Sequence, residues 1–246
     1  MLKLFRKKNV ARIVLWGILI LILPAFVIWG SGSLGRSREK GPTFVGLINN
    51  KKVSFDEFAD SLRAIRCQII LNYFNQPKVL DLFLNNKPFM GKLAWDRLIM
   101  AKEAHRNKIK ISDRDVINFI RSHPLFLRSG SFDERIYEYI LRNNVGIDPR
   151  GFEEILRENL AIKRLNYMLT KDIKVTDPEV LEAYKKDAEK IKDKGFDEEA
   201  FKKDKDAYSK KVLEDKKNKF LEDWLSGLEL TTRLNIDLKE YDKYYK

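Results

Sequence analysis

Residues 120–165 read IRSHPLFLRSGSFDERIYEYILRNNVGIDPRGFEEILRENLAIKRL, and the division of this stretch into elements decides the fold. Pro124 stops a helix, because a proline biases the residue before it away from helical geometry. Leu125, Phe126 and Leu127 follow as an apolar knot, and Gly130 supplies a turn. Asp133 then opens a helix carrying Ile136, Tyr137, Ile140 and Leu141, and Gly146 and Pro149 punctuate the chain after it. Beyond them Phe152, Ile155, Leu156, Leu160, Ile162, Leu165 and Leu169 make a broad apolar stripe on a helix of about twenty residues. The knot is a corner between two helices. His123 beside it reads as a turn residue rather than a base.

The flanks extend this helical pattern. Ser112 with Asp115 opens the helix that ends near Arg121, and a longer one over Phe89–Arg106 carries Leu93, Trp95, Leu98 and Ile99. Ser54 and Glu57 form a capping box ahead of Phe58, Leu62, Ile65, Ile69 and Tyr73, which share one helical face until Pro77 breaks or restarts it. Before the cap, FVGLI (44–48), the Asn49-Asn50 turn and Lys51–Val53 read as a short hairpin. Downstream, Thr176, Asp177 and Pro178 open another helix. Residues 185–219 then turn strongly polar. Of these 35 residues 23 are Lys, Asp or Glu, 13 positive against 10 negative. Mixed signs do not make a nucleic-acid tail, so this is a solvated helical arm, with Phe196, Phe201 and Tyr208 as its few aromatics. The last helix regains a core face through Val212, Phe220, Trp224 and Leu228, and LNIDL (234–238) reads as a strand that pairs with 44–48. The fold class is mostly α, with short strands at its two ends and a long returning C-terminal helix.

The first forty residues have a different character. Lys3, Arg6, Lys7, Lys8 and Arg12 precede IVLWGILILILPAFVIW (13–29), which has no charged side chain. Seventeen residues at about 1.5 Å each reach roughly 26 Å, near the lower limit for crossing a bilayer core. Ile13, Leu15, Trp16, Leu19, Leu21, Leu23, Phe26 and Trp29 are the expected anchor residues, and the basic flank places the N-terminus in the cytoplasm. A cleaved signal peptide is the rival reading, but the run exceeds the usual apolar core of about 7–15 residues. Residues 31–43, SGSLGRSREKGPT, read as a flexible tether.

The 246 residues carry a net charge of +12, one cysteine (Cys67) and two histidines (His105 and His123). Neither a disulfide within the chain nor a Cys/His zinc cluster is available from that set. No phosphate-binding glycine loop, dinucleotide fingerprint or GxSxG elbow is present. Carboxylate pairs such as Asp56-Glu57 and Glu153-Glu154 lie among cations on helices and read as solvated faces. No catalytic residue, metal or cofactor is expected.

The block at 120–165 resembles the N-terminal chaperone module of the SurA/PpiD-type family of envelope folding factors. The resemblance rests on Pro124, Phe126, Gly130, Phe132, Asp133, Tyr137 and Leu141, then on Phe152, Glu153, Leu156, Arg157 and Leu160. VGLINNKKVSFDEF, IKVTDPEVLEAY and FLEDWLSGLELTTRLNIDL resemble the family's opening, its approach to the isomerase domain and its returning end, in that order. The anchor brings the PpiD layout closer. Where relatives insert a parvulin-type prolyl isomerase domain this chain has only the charged arm, so isomerase activity is not carried over.

The resulting expectation divides the chain into a cytoplasmic tail (1–12), a transmembrane anchor (13–30), a tether (31–43) and a helical chaperone domain (44–246). The resemblance implies an inner-membrane protein whose C-terminal domain lies in the periplasm and holds unfolded or nascent envelope proteins. Phe126, Leu127, Phe132 and Tyr139 are the expected client contacts, because they flank a turn. The protein translocon is a candidate partner, nucleic acid is not, and oligomeric state stays open. A dedicated scaffold subunit of an inner-membrane or translocon-associated complex is the alternative, and a prolyl isomerase is the third reading.

Overall fold

A computed structural model of the protein describes residues 42–190 and 198–244. Strands β1 (Gly46–Ile48) and β2 (Lys51–Val53) pair antiparallel around Asn49 and Asn50, whose φ values of 49° and 61° are the left-handed pair that a tight hairpin turn requires. Ser54 caps α1 (Phe55–Asn72). Its hydroxyl accepts from the Glu57 N–H at 3.1 Å, and the Glu57 carboxylate accepts from the Ser54 N–H at 2.8 Å. Pro77 restarts the chain as α2 (Pro77–Leu84), and the Asn86 side chain caps α3 (Lys87–Arg106). A second capping box, Ser112 with Asp115, opens α4 (Asp113–Ser122).

The corner after α4 is more ordered than a loop. Pro124–Phe126 forms one 3-10 turn, and β3 (Leu127–Arg128) pairs with β4 (Ser131–Phe132) across Ser129 and Gly130, at φ 52° and 82°. Asp133 caps α5 (Glu134–Tyr139) by accepting from the Arg135 and Ile136 N–H groups. A wider π turn over Ile140–Val145 ends at Gly146, φ 76°, and Pro149 begins α6 (Pro149–Thr170). The charged region forms α7 (Asp177–Lys190) and α8 (Glu198–Glu229), which pack together through Tyr184 against Phe201 and Tyr208, at ring separations of 5.1 and 4.9 Å.

The chain then returns to its start. Strand β5 (Thr232–Leu234) pairs antiparallel with β1, Gly46 opposite Leu234 and Ile48 opposite Thr232, giving the sheet order β2-β1-β5. The pairing partner is the expected one, but the strand ends at Leu234 instead of running to Leu238. Asp237 turns the chain there, its carboxylate accepting from the Lys239 N–H at 2.8 Å. Ile236 and Leu238 alternate because they pack onto the core, not because they pair. Phe220, expected in the core, is exposed, and Trp224, Leu225 and Leu228 make the contact of α8 instead.

Phe44–Lys246 is one compact unit built on α3, which packs against α1, α6 and α8. The hairpin, α1 and α3 enclose a core around Val45, Phe58, Trp95 and Ile99. The 124–132 corner, α5 and the start of α6 enclose a second around Phe126, Leu141 and Phe152. Glu103, fully buried on α3, accepts from the Asn49 side chain at 3.0 Å and pairs with Arg106 at 2.8 Å, so α3 also holds the hairpin turn. Thr231 donates to the Asn49 side-chain oxygen at 3.2 Å, which ties the end of α8 to the same turn. No helix among the described residues is long and apolar enough to cross a membrane. The expected anchor, and all but the last two residues of the expected tether, lie outside those residues.

Gly46 is where beginning and end meet most tightly. A Cβ there would lie 2.4 Å from the Arg233 carbonyl oxygen and 2.7 Å from the Trp95 ring. Gly46→Ala is therefore expected to destabilise by about 1–3 kcal/mol through overpacking. In thermal unfolding followed by circular dichroism the midpoint should fall by roughly 2–12 °C, and an unchanged midpoint would show that β5 does not close on β1.

Candidate functional site

Helices α1 and α6 each pack on α3 but scarcely on each other. Between them lies a cleft of about 420 Å³, floored by Arg97 and Met100 of α3 and bounded at one end by Phe119 and His123 of α4. Its walls are mainly apolar. Ile155, Leu156, Leu160 and Ile162 come from α6, and Ile65 and Leu71 from α1. Asn166 also lines it, and its side-chain oxygen is buried with no hydrogen-bond partner. No carboxylate lines this cleft; its charged residues are Arg97 and Lys163.

Arg97 ties the floor of the cleft to α6. Its side chain is 6% exposed, and its Nε donates to Asn159 Oδ1 at 3.0 Å. Its Nη2 sits 2.6 Å from Glu158 Oε2, an ion-pair distance, although the approach is too bent for a hydrogen bond. Both partners belong to α6. Desolvating a guanidinium is expensive unless it is paired, so this polar link fixes where α6 crosses α3. Arg97 and Ile155 also line an adjoining cavity of about 480 Å³, whose rim carries Asp60, Asp148, Glu154 and Glu158 with Arg63.

Two further arginines of α6 hold α4 at the end of the cleft. Arg157 donates to the Ile111 carbonyl at 3.0 Å and to Asp113 at 2.7 Å, while Arg164 donates to the Lys110 carbonyl at 2.8 Å. The two lie seven residues apart, about two turns, so they share one face.

The expected contact residues fall into different places. Phe126 is 0% exposed. Its ring meets Tyr137 at 5.0 Å and Phe152 at 6.0 Å edge-on, with the His123 ring 4.9 Å away. Full burial of such a ring stabilises by about 1.5–3 kcal/mol. Phe126 is thus a core residue and not a surface contact, because the knot folds inward as a 3-10 turn. Leu127 and Phe132 are half-buried, and Phe132 leans on Tyr137 at 5.7 Å. Tyr139 is 64% exposed on α5. The corner does not gather these four residues into one open surface.

Reactive groups are quiet. Burial pushes the Cys67 thiol up to about 12, so it stays protonated and unreactive. Burial also raises the Tyr137 phenol, whose oxygen has no hydrogen-bond partner among the described residues. Among the described residues no group of three or more His, Cys, Asp or Glu side chains is placed to hold a metal. Arg97, Asn159 and Asn166 were not foreseen as site residues. A signal for Arg97 was present: Ala94, Ala101 and Ala104 occupy the positions three before, four after and seven after it, a small-residue face with room for a long side chain.

His123 links the corner to the cleft. Its Nδ1 accepts from the Leu125 N–H at 3.4 Å, which requires a neutral ring nitrogen, and burial lowers its pKa from the ordinary value of 6.5. A histidine with a depressed folded pKa contributes stability fully above its unfolded value and loses it as pH falls below about 6.5. His123→Asn, which keeps a side-chain acceptor, should remove this component of acid sensitivity. Urea unfolding at pH 7.5 and 5 checks it, and an unchanged pH dependence would count against the role given to His123. Phe126→Ala should cost about 3–5 kcal/mol, whereas Tyr139→Ala should stay within about 0.5 kcal/mol. Comparable losses in the same titration would contradict the placement of the two rings.

No curated protein and no solved structure matches the chain. The sequence profile of the SurA-like N-terminal domain matches residues 1–166, which include β1 through most of α6, the corner and both long walls of the cleft. With two thirds of its length so matched, the chain belongs to the SurA-like N-terminal domain family.

Proposed function

We propose that this protein is a membrane-anchored, extracytoplasmic chaperone that holds unfolded or newly translocated envelope proteins without prolyl isomerase activity. The observation that carries the reading is the cleft between α1 and α6, apolar along its walls and lined by no carboxylate. A holding site needs apolar surface reachable by a flexible chain, and it needs that surface recessed so that the chaperone itself stays soluble. Membership of a chaperone-type family supports the same reading. The uncharged run 13–29 after five basic residues supports attachment to the inner membrane with the folded unit outside the cytoplasm. Tyr139, with Leu127 and Phe132 near it in sequence, offers a secondary contact for bound chains.

Ile155 is the residue to test, because it lines the cleft while remaining half-exposed and outside the three core clusters. The full chain in detergent should suppress light scattering from an aggregating unfolded protein, and Ile155→Asp should lose most of that suppression while keeping its helical signal. Absence of suppression by the unaltered protein at several-fold excess would sink the proposal.

A further inference from the structure

The apolar cleft does not end in neutral surroundings. At Arg97 and Ile155 it adjoins the second cavity, whose lining carries Asp60, Asp148, Glu154 and Glu158 against Arg63 and Arg97. Two of these carboxylates are matched within the lining, Asp60 by Arg63 and Glu158 by Arg97, each at 2.6 Å. Asp148 and Glu154 have no matching cation within the lining, although Arg142 acts on Asp148 from outside it. Asp148 accepts from the Gly151 N–H at 2.9 Å and its carboxyl is held below the ordinary range, mainly by that backbone hydrogen bond. Glu154 is exposed, with Arg150 3.8 Å away and outside the lining. Lys163 lies on the other side of Ile155, nine residues and about 14 Å along α6 from Glu154. The trough therefore carries Lys163 at one end, mainly apolar walls over the paired Arg97 in the middle, and a surplus of carboxylates at the other. Its length matches about four residues of extended chain.

We infer that the trough selects extended segments in which one or two large apolar residues are followed or preceded directly by a lysine or arginine, the apolar side chains seated in the cleft and the cation at Asp148 and Glu154. The inference rests on the holding function proposed above and adds a substrate class to it. Charge complementarity carries it: the apolar cleft has no carboxylate to receive a cation, Lys163 repels one at its own end, and the acidic lining receives it at the other. Residues 1–41 hold eight Lys or Arg against Glu39, +7 of the total +12, which leaves +5 for residues 42–246. A basic segment thus meets mild repulsion over most of the folded unit and local attraction at this mouth, which favours one register of binding.

The test uses the full chain in detergent and three dansylated peptides, Gly-Ser-Leu-Phe-Leu-Lys-Lys-Ser-Gly and its counterparts with Glu-Glu or Gln-Gln in place of Lys-Lys, followed by fluorescence anisotropy at low salt. The Lys peptide should bind about threefold to tenfold tighter than the Gln peptide, and the Glu peptide no tighter than the Gln peptide. Glu154→Lys should erase the preference for the Lys peptide while the Gln peptide keeps its affinity, and about 0.5 M salt should compress the differences in the unaltered protein. Equal binding of the Lys and Gln peptides, or a preference that survives Glu154→Lys, overturns the inference and leaves the cleft reading standing. If none of the three peptides binds, or if binding is untouched by Ile155→Asp, the cleft reading fails and the inference falls with it.

Discussion

The buried guanidinium of Arg97 is the constraint on which the arrangement of α1, α3 and α6 depends. Removing an arginine from water costs several kcal/mol, and the cost is offset only where good partners are supplied. Here both come from α6, Glu158 and Asn159, so α6 is fixed to α3 by a polar link at the point where an apolar contact would have drawn the helices together. The Glu158 side chain is 48% exposed, so the pair is screened and its net contribution to stability is modest. Its structural consequence is positional: it fixes α6 on α3 at the floor of the cleft that α1 and α6 wall.

Helix α3 carries a second buried charge with a different task. Glu103 points to the hairpin turn and to Arg106, and Asn49 passes the connection on to Thr231 at the end of α8. Lys92, on the same helix, reaches Asp96 and Glu229 and so clasps the other side of the α8 terminus. The returning end of the chain is consequently fixed by these polar contacts together with the β1–β5 pairing at Gly46 and the packing of Leu225, Leu228, Ile236 and Leu238 on the core, with α8 itself contributing no fully buried residue. Local propensity is consistent with this division. Capping boxes start α1 and α4, while two hairpin turns built from Asn49-Asn50 and Ser129-Gly130 set the short strands.

Much of this was legible from local signals. The caps at Ser54 and Ser112 and the breaks at Pro77, Pro124 and Pro149 follow from residues that act within a few positions of themselves, while the pairing of the first and last strands was read from two short apolar runs far apart in the chain. What escaped depends on tertiary placement. The strand at the C-terminus was displaced because Ile236 and Leu238 alternate for burial, a pattern that period alone cannot separate from pairing. Phe126 suggests a binding aromatic when read beside a glycine turn, yet the 3-10 turn after Pro124 rotates it into the ring cluster with Tyr137 and Phe152. Arg97 was hidden because an arginine on a helix is ordinarily solvated. Only the alanines around it, and the partners on α6, show that it is enclosed.

The apolar stripe on α6 brings these points together. Its width follows from two duties carried by adjacent rows of the same helix. Phe152 and Leu156, four apart, are buried in the corner core. Ile155, Asn159, Ile162 and Asn166 recur at steps of four, three and four and line the cleft. A stripe this broad serves several packing partners, α3, α4, α8 and the corner, and also lines the cleft. The first row is buried against the corner, although Phe152 and Leu156 also reach the inner wall of the cleft. The second lines the cleft and includes two polar positions, Asn159 and Asn166, the first of which accepts from Arg97. Asn166 carries a buried side-chain oxygen with no hydrogen-bond partner among the described residues. Packing on one row and lining a cleft with the next leaves apolar surface recessed in a chain that is 34% charged.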